Sequence, residues 1–260
     1  MHYNQGNYRR GLLMLFSMLA SGINFANQPA NDAANPAVQH RSFLSLNQSH
    51  AVIQLGGFWS QQGRAQHVDI DTLIGDDFTA SQRQDSNVLV GLGYFLKSQE
   101  NSHFNLFYGL NAYYLAKTGV SGKVVQESLF TNLAYGYHIT HIPLYAMAKS
   151  TIDLKSPRYA LTVDAGIGPN FMSTSGFHET SLGDGTLPDY IFSGHTTANF
   201  SATAGVGIKF QHAFREVPLE CGYRFFYLGQ GNFNVLSNQV NTRLNTGTVY
   251  ANALLCAVTI

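Results

Sequence analysis

The chain has 260 residues, zero formal net charge and only 12% charged residues, against 13% aromatics and 25 glycines. An ordinary soluble domain carries about 25% charged residues, a nucleic-acid binder is strongly basic, and an acidic disordered segment has few aromatics; none of these fits. Mean hydropathy is close to zero, which also excludes a bundle of apolar membrane helices of about 20 residues each.

In chain order, Arg9 and Arg10 precede an apolar run, Gly11 to Ala20, and then small residues around Ala26. This is the layout of a secretory signal peptide over 1–26. The run is too short for an anchor helix, which must cross roughly 30 Å of hydrocarbon. Residues 27–42 are rich in Asn, Ala and Pro and read as a flexible leader. The remainder, 43–260, reads as one β-domain.

From there the apolar residues recur with period two, the mark of strands with one apolar face. The clearest case is 197–211. Ala198, Phe200, Ala202, Ala204, Val206, Ile208 and Phe210 alternate there with Asn199, Ser201, Thr203, Gly205, Gly207, Lys209 and Gln211. Segment 159–172 repeats this, with Tyr159 to Phe171 on one side and Asp164, Gly166 and Asn170 on the other. Looser alternation covers 50–60, 87–97, 104–116, 128–150, 217–229 and 246–260, making eight strands. Within 128–150 the apolar face is taken as Leu133, Tyr135, Tyr137 and Ile139. Ten strands result only if 128–153 turns near Pro143, and no further strand candidate supports that.

Several runs exceed the five or six residues of a soluble strand and match the 9–11 of a transmembrane one. Connections alternate long and short: long at 62–86, 117–127, 173–195 and 230–245, short at 97–103, 153–158 and 212–218. Membrane barrels have short turns at one end and longer loops at the other. Aromatics near strand ends (Tyr94, Phe104, Tyr114, Tyr145, Tyr159, Phe171, Phe210, Tyr227, Tyr250) suggest two interfacial girdles. The expected fold is therefore all-β: a transmembrane antiparallel up-and-down β-barrel of about eight strands.

Segment 202–229 resembles the C-terminal half of the opacity-protein-like small outer-membrane β-barrels. The resemblance rests on Gly205-Val206-Gly207, a short turn, and Tyr223-Arg224-Phe225, with Ala165 to Asn170 like the preceding glycine-rich strand. It implies location in the outer membrane of a Gram-negative cell. Such barrels usually end on Phe; this chain ends Val258-Thr259-Ile260, a departure from the pattern.

With the polar face inward, Lys97, Asp164, Lys209, Glu220 and Arg224 form a lumen cluster. Eight strands leave room only for side chains or one small ligand, so a salt-bridged, plugged bore is expected rather than a porin. Cys221 and Cys256 pair if the last two strands form a hairpin in that register, and remain two thiols if it slips. Asp69, Asp71, Asp76 and Asp77 make an acid-rich first loop, read as a solvated loop, with cation binding or water activation as the sharper alternative. His138 and His141, three apart on a strand, face opposite sides and cannot share a metal. No catalytic residue, metal or cofactor is expected. The expected role is structural or surface-interacting; a passive channel for small or apolar solutes comes next, and a hydrolase using the first loop last. The expected partners are outer-membrane lipid and lipopolysaccharide, the barrel assembly machinery, and an extracellular ligand or host surface. Nucleic acid is not expected, and the chain is expected to be a monomer.

Overall fold

The computed structural model describes residues 49–260 apart from 102–103, 155, 157, 184 and 215–216. The signal peptide and leader expected over 1–42 lie outside the described residues. Eight long strands form the body: β1 (Ser49–Gln61), β2 (Gln84–Glu100), β3 (Phe104–Gln126), β4 (Phe130–Asp153), β5 (Tyr159–Ser181), β6 (Thr196–Phe214), β7 (Val217–Asn232) and β8 (Asn245–Thr259). Each pairs antiparallel with its sequence neighbours. The ring closes because β1 pairs with both β2 and β8, placing Leu55 between Val90 and Cys256. Closure leaves none of the eight long strands as an edge strand of the ring.

Period two decides what each face meets. Ile53, Leu55, Val90, Leu92, Leu110, Ile167, Val206 and Leu254 all point outward and are exposed. So large a continuous apolar surface has no place on a water-soluble monomer; it fits hydrocarbon. From Phe104 to Tyr114, β3 climbs roughly 25 Å at about 3.3 Å per residue and the usual tilt of about 40°. Trp59, Tyr114, Phe171, Phe200, Tyr227 and Tyr250 stand outward at the upper edge of this belt, with Phe200–Tyr227 and Tyr227–Tyr250 ring centroids 6.3 and 5.8 Å apart. Tyr159 and Phe210 pair edge-to-face near the lower edge. Tyr145, expected in a girdle, is instead buried inside at 1% exposure.

Connections at the lower end are short, and Ile260 hydrogen-bonds Ala51 there, so the last residue lies at that end beside β1. At the upper end the expected loops are partly strand. Residues 117–126 of the expected loop belong to β3, which turns into β4 through Glu127 and Ser128, both in the left-handed region. Likewise β5 continues to Ser181, into the segment read as a loop over 173–195. The β3–β4 hairpin therefore rises roughly 30 Å beyond the belt at the same rise and tilt. The first long connection adds two short pieces, Gln66–Val68 and Asp76–Phe78, the second paired to β3. Gly122 lets that connection cross β3, because a Cβ there would collide with the Thr79 carbonyl.

Four residues face the opposite way from the sequence reading. Leu133, Tyr135, Tyr137 and Ile139 point inward, each at most 4% exposed. Their segment of β4 lies above the belt, where the outside is aqueous and the bore takes the apolar side chains. Below it the outward face is Ile142, Leu144, Ala146 and Ala148, with Tyr145, Met147 and Lys149 inside.

Candidate functional site: the bore and the upper end

The bore is filled in tiers. In the lowest, Lys149 Nζ donates to Glu220 Oε2 at 2.5 Å, and Thr162 Oγ1 donates to Glu220 Oε1 at 2.9 Å. Lys209 stands opposite Glu220 in the β6–β7 register. Lys149 also lies over the Phe95 ring, 5.7 Å from its centroid, while His50 packs between Phe95 and Phe107. Lys149 escaped the sequence reading because the face of β4 was inverted.

The middle tier holds Arg224 and Asp164, whose side chains are 7% and 6% exposed. Arg224 Nη2 lies 2.7 Å from both carboxylate oxygens, and Nη1 donates to Thr203 Oγ1 at 3.3 Å. The guanidinium also covers the Tyr113 ring at 5.5 Å. Glycine makes this possible: a Cβ at Gly205 would lie 2.9 Å from Arg224 Nη2. Lys97, expected in this cluster, is not part of it. It pairs instead with Glu100 at 2.7 Å, near the lower end of β2. Above the ion pair, Asn170 Nδ2 donates to His141 Nδ1 at 3.1 Å and to the Leu228 carbonyl at 2.8 Å.

The top tier is apolar and was not legible beforehand. Three long connections each send a phenylalanine into the bore: Phe78, Phe192 and Phe233, at most 3% exposed. They stack among wall residues, with Phe233 4.8 Å from Tyr137, Phe78 5.1 Å from Tyr135 and Phe177 5.4 Å from Phe192. The expected plug of salt bridges is thus two ion pairs below an aromatic stopper.

Of the four loop aspartates, Asp69 and Asp77 flank the His67 ring, at 3.6 Å from Nε2 and 2.8 Å from Nδ1, while Asp71 and Asp76 make other contacts. Asp69 Oδ2 accepts from Thr242 Oγ1, tying the first connection to the last. Asp71 is held through its backbone, whose N–H donates to the Gln239 carbonyl. Asp76 is buried and accepts from the Glu127 N–H at 3.3 Å; burial pushes its carboxyl up from the ordinary value. Burial does the same to Glu179, which accepts the Asp189 N–H at 3.0 Å. Asp77 accepts from Ser128 Oγ at 3.0 Å and lies 2.8 Å from His67 Nδ1. Their role here is to fasten the loops. Among the described residues, no three His, Cys, Asp or Glu side chains gather as metal ligands.

The His67–Asp77 bond raises the imidazole pKa and lowers the carboxyl pKa. The raised His67 stabilises the loop below the free imidazole value and loses that effect as pH rises through its folded value. The lowered Asp77 contributes above the free carboxyl value and fades as pH falls through its folded value. The loop tie is therefore strongest in mildly acidic solution, between about pH 4 and 6.5. Following the His67 ring signal by NMR should give a titration midpoint above that of a free histidine, returning toward it in Asp77→Asn. An unchanged midpoint would count against the bond.

On the outer wall, the structure joins Cys221 and Cys256 as a disulfide across β7 and β8, with Cα atoms 4.1 Å apart. The same register pairs Tyr223 with Leu254 and Tyr227 with Tyr250.

No protein-family model matches the chain, and no curated protein does. Among solved structures, the chain aligns with the outer membrane protein OprG from Pseudomonas aeruginosa at 11% identity, covering 81% of this chain and 96% of that one, with a TM-score of 0.43. It aligns with the outer membrane protease OmpT from Escherichia coli at 8% identity, over 83% and 96%, with a TM-score of 0.42. Neisserial surface protein A aligns at 13% identity over 81% and 96%, with a TM-score of 0.39.

Proposed function

We propose that this chain is an integral outer-membrane barrel with a closed bore, and that its work is done at the raised upper end as a surface-interaction scaffold. The observation that carries this reading is the filling of the bore from bottom to top by ion pairs and then by phenylalanines from three loops. A wall of eight strands has little interior to spare, and here it is taken by Arg224, Tyr113, Tyr145, Phe226 and the stopper above.

The upper end supports the same reading. Leu73, Ile74, Leu129, Phe130, Leu187 and Tyr190 are exposed at its tips. They lie beyond the apolar belt; Asp69, Asp76 and Asp77 tie the first connection to the others, and Glu179 holds the Asp189–Tyr190 segment to its own strand. Exposed apolar groups on a fixed support mark a contact surface. In this reading the belt lies in outer-membrane lipid and lipopolysaccharide, and the short turns and last residue face the periplasm after assembly by the barrel machinery. The tips then meet an extracellular ligand or host surface, and the scaffold acts as a monomer without a catalytic role.

Planar-bilayer recording on the purified barrel tests the closed bore. The expected trace has no sustained single-channel conductance. A steady open level would overturn the reading in favour of passive transport.

A further inference from the structure

We propose that His138 and His178 form a two-imidazole binding site for a divalent cation of the zinc or copper kind, on the outer wall of the barrel above the apolar belt. The sequence hides this site, because its two members are 40 positions apart. His141, the apparent partner of His138, points into the bore instead.

A bulge brings the two rings to one face. Gly136 pairs with His178 and His138 with Ser175, so β5 spends one extra residue there. Gly176 takes up that residue in the left-handed region, at φ 63°. Without the bulge, strand parity would turn His178 into the bore. With it, Phe177 joins the aromatic stopper and His178 stands outside.

Each imidazole then lies over a glycine of the facing strand. A Cβ on Gly136 would lie 2.8 Å from His178 Cε1 and 3.1 Å from its Nε2; a Cβ on Gly176 would lie 3.1 Å from His138 Nδ1. Both rings therefore lie on the outer face of the same strand pair, at diagonal positions one residue pair apart. They line an open cleft of about 350 Å³ with Gln82, Ser121 and Thr180.

The protonation pattern suits a metal. His178 Nδ1 lies 3.0 Å from the Gly176 carbonyl, which can only accept, so the proton is on Nδ1 and the Nε2 lone pair is free. A ligating histidine is usually fixed in this way, by donating its other N–H to a backbone carbonyl. Charge also favours a cation. The Asp85 carboxylate, bonded to the Gly119 N–H at 2.6 Å, and the His138 ring flank the same glycine, at 3.6 and 3.9 Å from where its Cβ would be. Neutral imidazoles suit zinc, copper and nickel, with water completing an open coordination sphere.

The test uses the full chain without an affinity tag, folded in detergent and titrated with Cu²⁺ alone. Electron paramagnetic resonance should show coupling to two nitrogens. His138→Ala and His178→Ala should each reduce the coupling to one nitrogen and weaken binding. His67→Ala should change neither. Both rings are on the water-facing wall, and heat-dependent gel migration checks that each variant still folds. Two-nitrogen coupling that survives either substitution, or binding unchanged in both, would overturn the proposal.

Discussion

Replacing Asp164 with alanine should cost the barrel about 3–5 kcal/mol of unfolding stability, the largest single effect expected at any polar position. The carboxylate is 6% exposed and lies 2.7 Å from Arg224 Nη2. Its removal leaves a guanidinium in the bore with a single hydroxyl, Thr203 Oγ1, and the face of Tyr113 as company. A buried charge without its counter-ion bears its desolvation cost almost uncompensated. The same logic makes the double variant informative. Asp164→Leu with Arg224→Met removes both charges and keeps volume, and should recover most of the loss, because a buried pair is worth little more than the apolar groups that could replace it. Urea unfolding of the lipid-reconstituted barrel, read by the gel shift between folded and unfolded forms, measures all three. A double variant no more stable than Asp164→Ala would show that the loss does not come from the stranded Arg224 charge.

Breaking the Cys221–Cys256 bond should cost about 2–4 kcal/mol, since the crosslink closes a loop of 35 residues in the unfolded chain. The bond joins the last two strands, β7 and β8, and β8 also closes the ring against β1. Its loss should therefore act on closure, and the Cys221→Ser/Cys256→Ser barrel should unfold at lower urea with its folded gel mobility unchanged. Mass analysis of the unreduced wild-type protein should show two hydrogens fewer than the reduced form. Finding two free thiols would sink the pairing and this prediction with it.

The wall of this barrel was legible in the sequence because it is written in period two, and period two is local. Alternation over 197–211 and 159–172 placed every outward residue of those strands correctly. The strand count followed from turns, whereas the register of the last hairpin stayed open between a Cys221–Cys256 pair and two thiols until the structure paired them. Inside the wall, legibility was partial. Asp164, Glu220 and Arg224 could be set facing the bore, but not paired, since Arg224–Asp164 and Lys149–Glu220 are contacts between strands that parity alone cannot match. Above the belt the rule itself changed. There the outside is water, so the apolar face of β4 turns inward, and Leu133 to Ile139 were read on the wrong side by a rule valid only in lipid.

What the sequence by itself determined, then, is the belt: eight strands, their outward faces and the end at which the chain finishes. Solvent chooses those faces residue by residue. Only the tertiary structure decided how the bore is stopped and where the outer-wall histidines meet. Phe78, Phe192 and Phe233 come from three separate loops, and His138 and His178 share a face only because Gly176 inserts one residue. Such meetings depend on register and bulges between distant segments, and no local pattern records them.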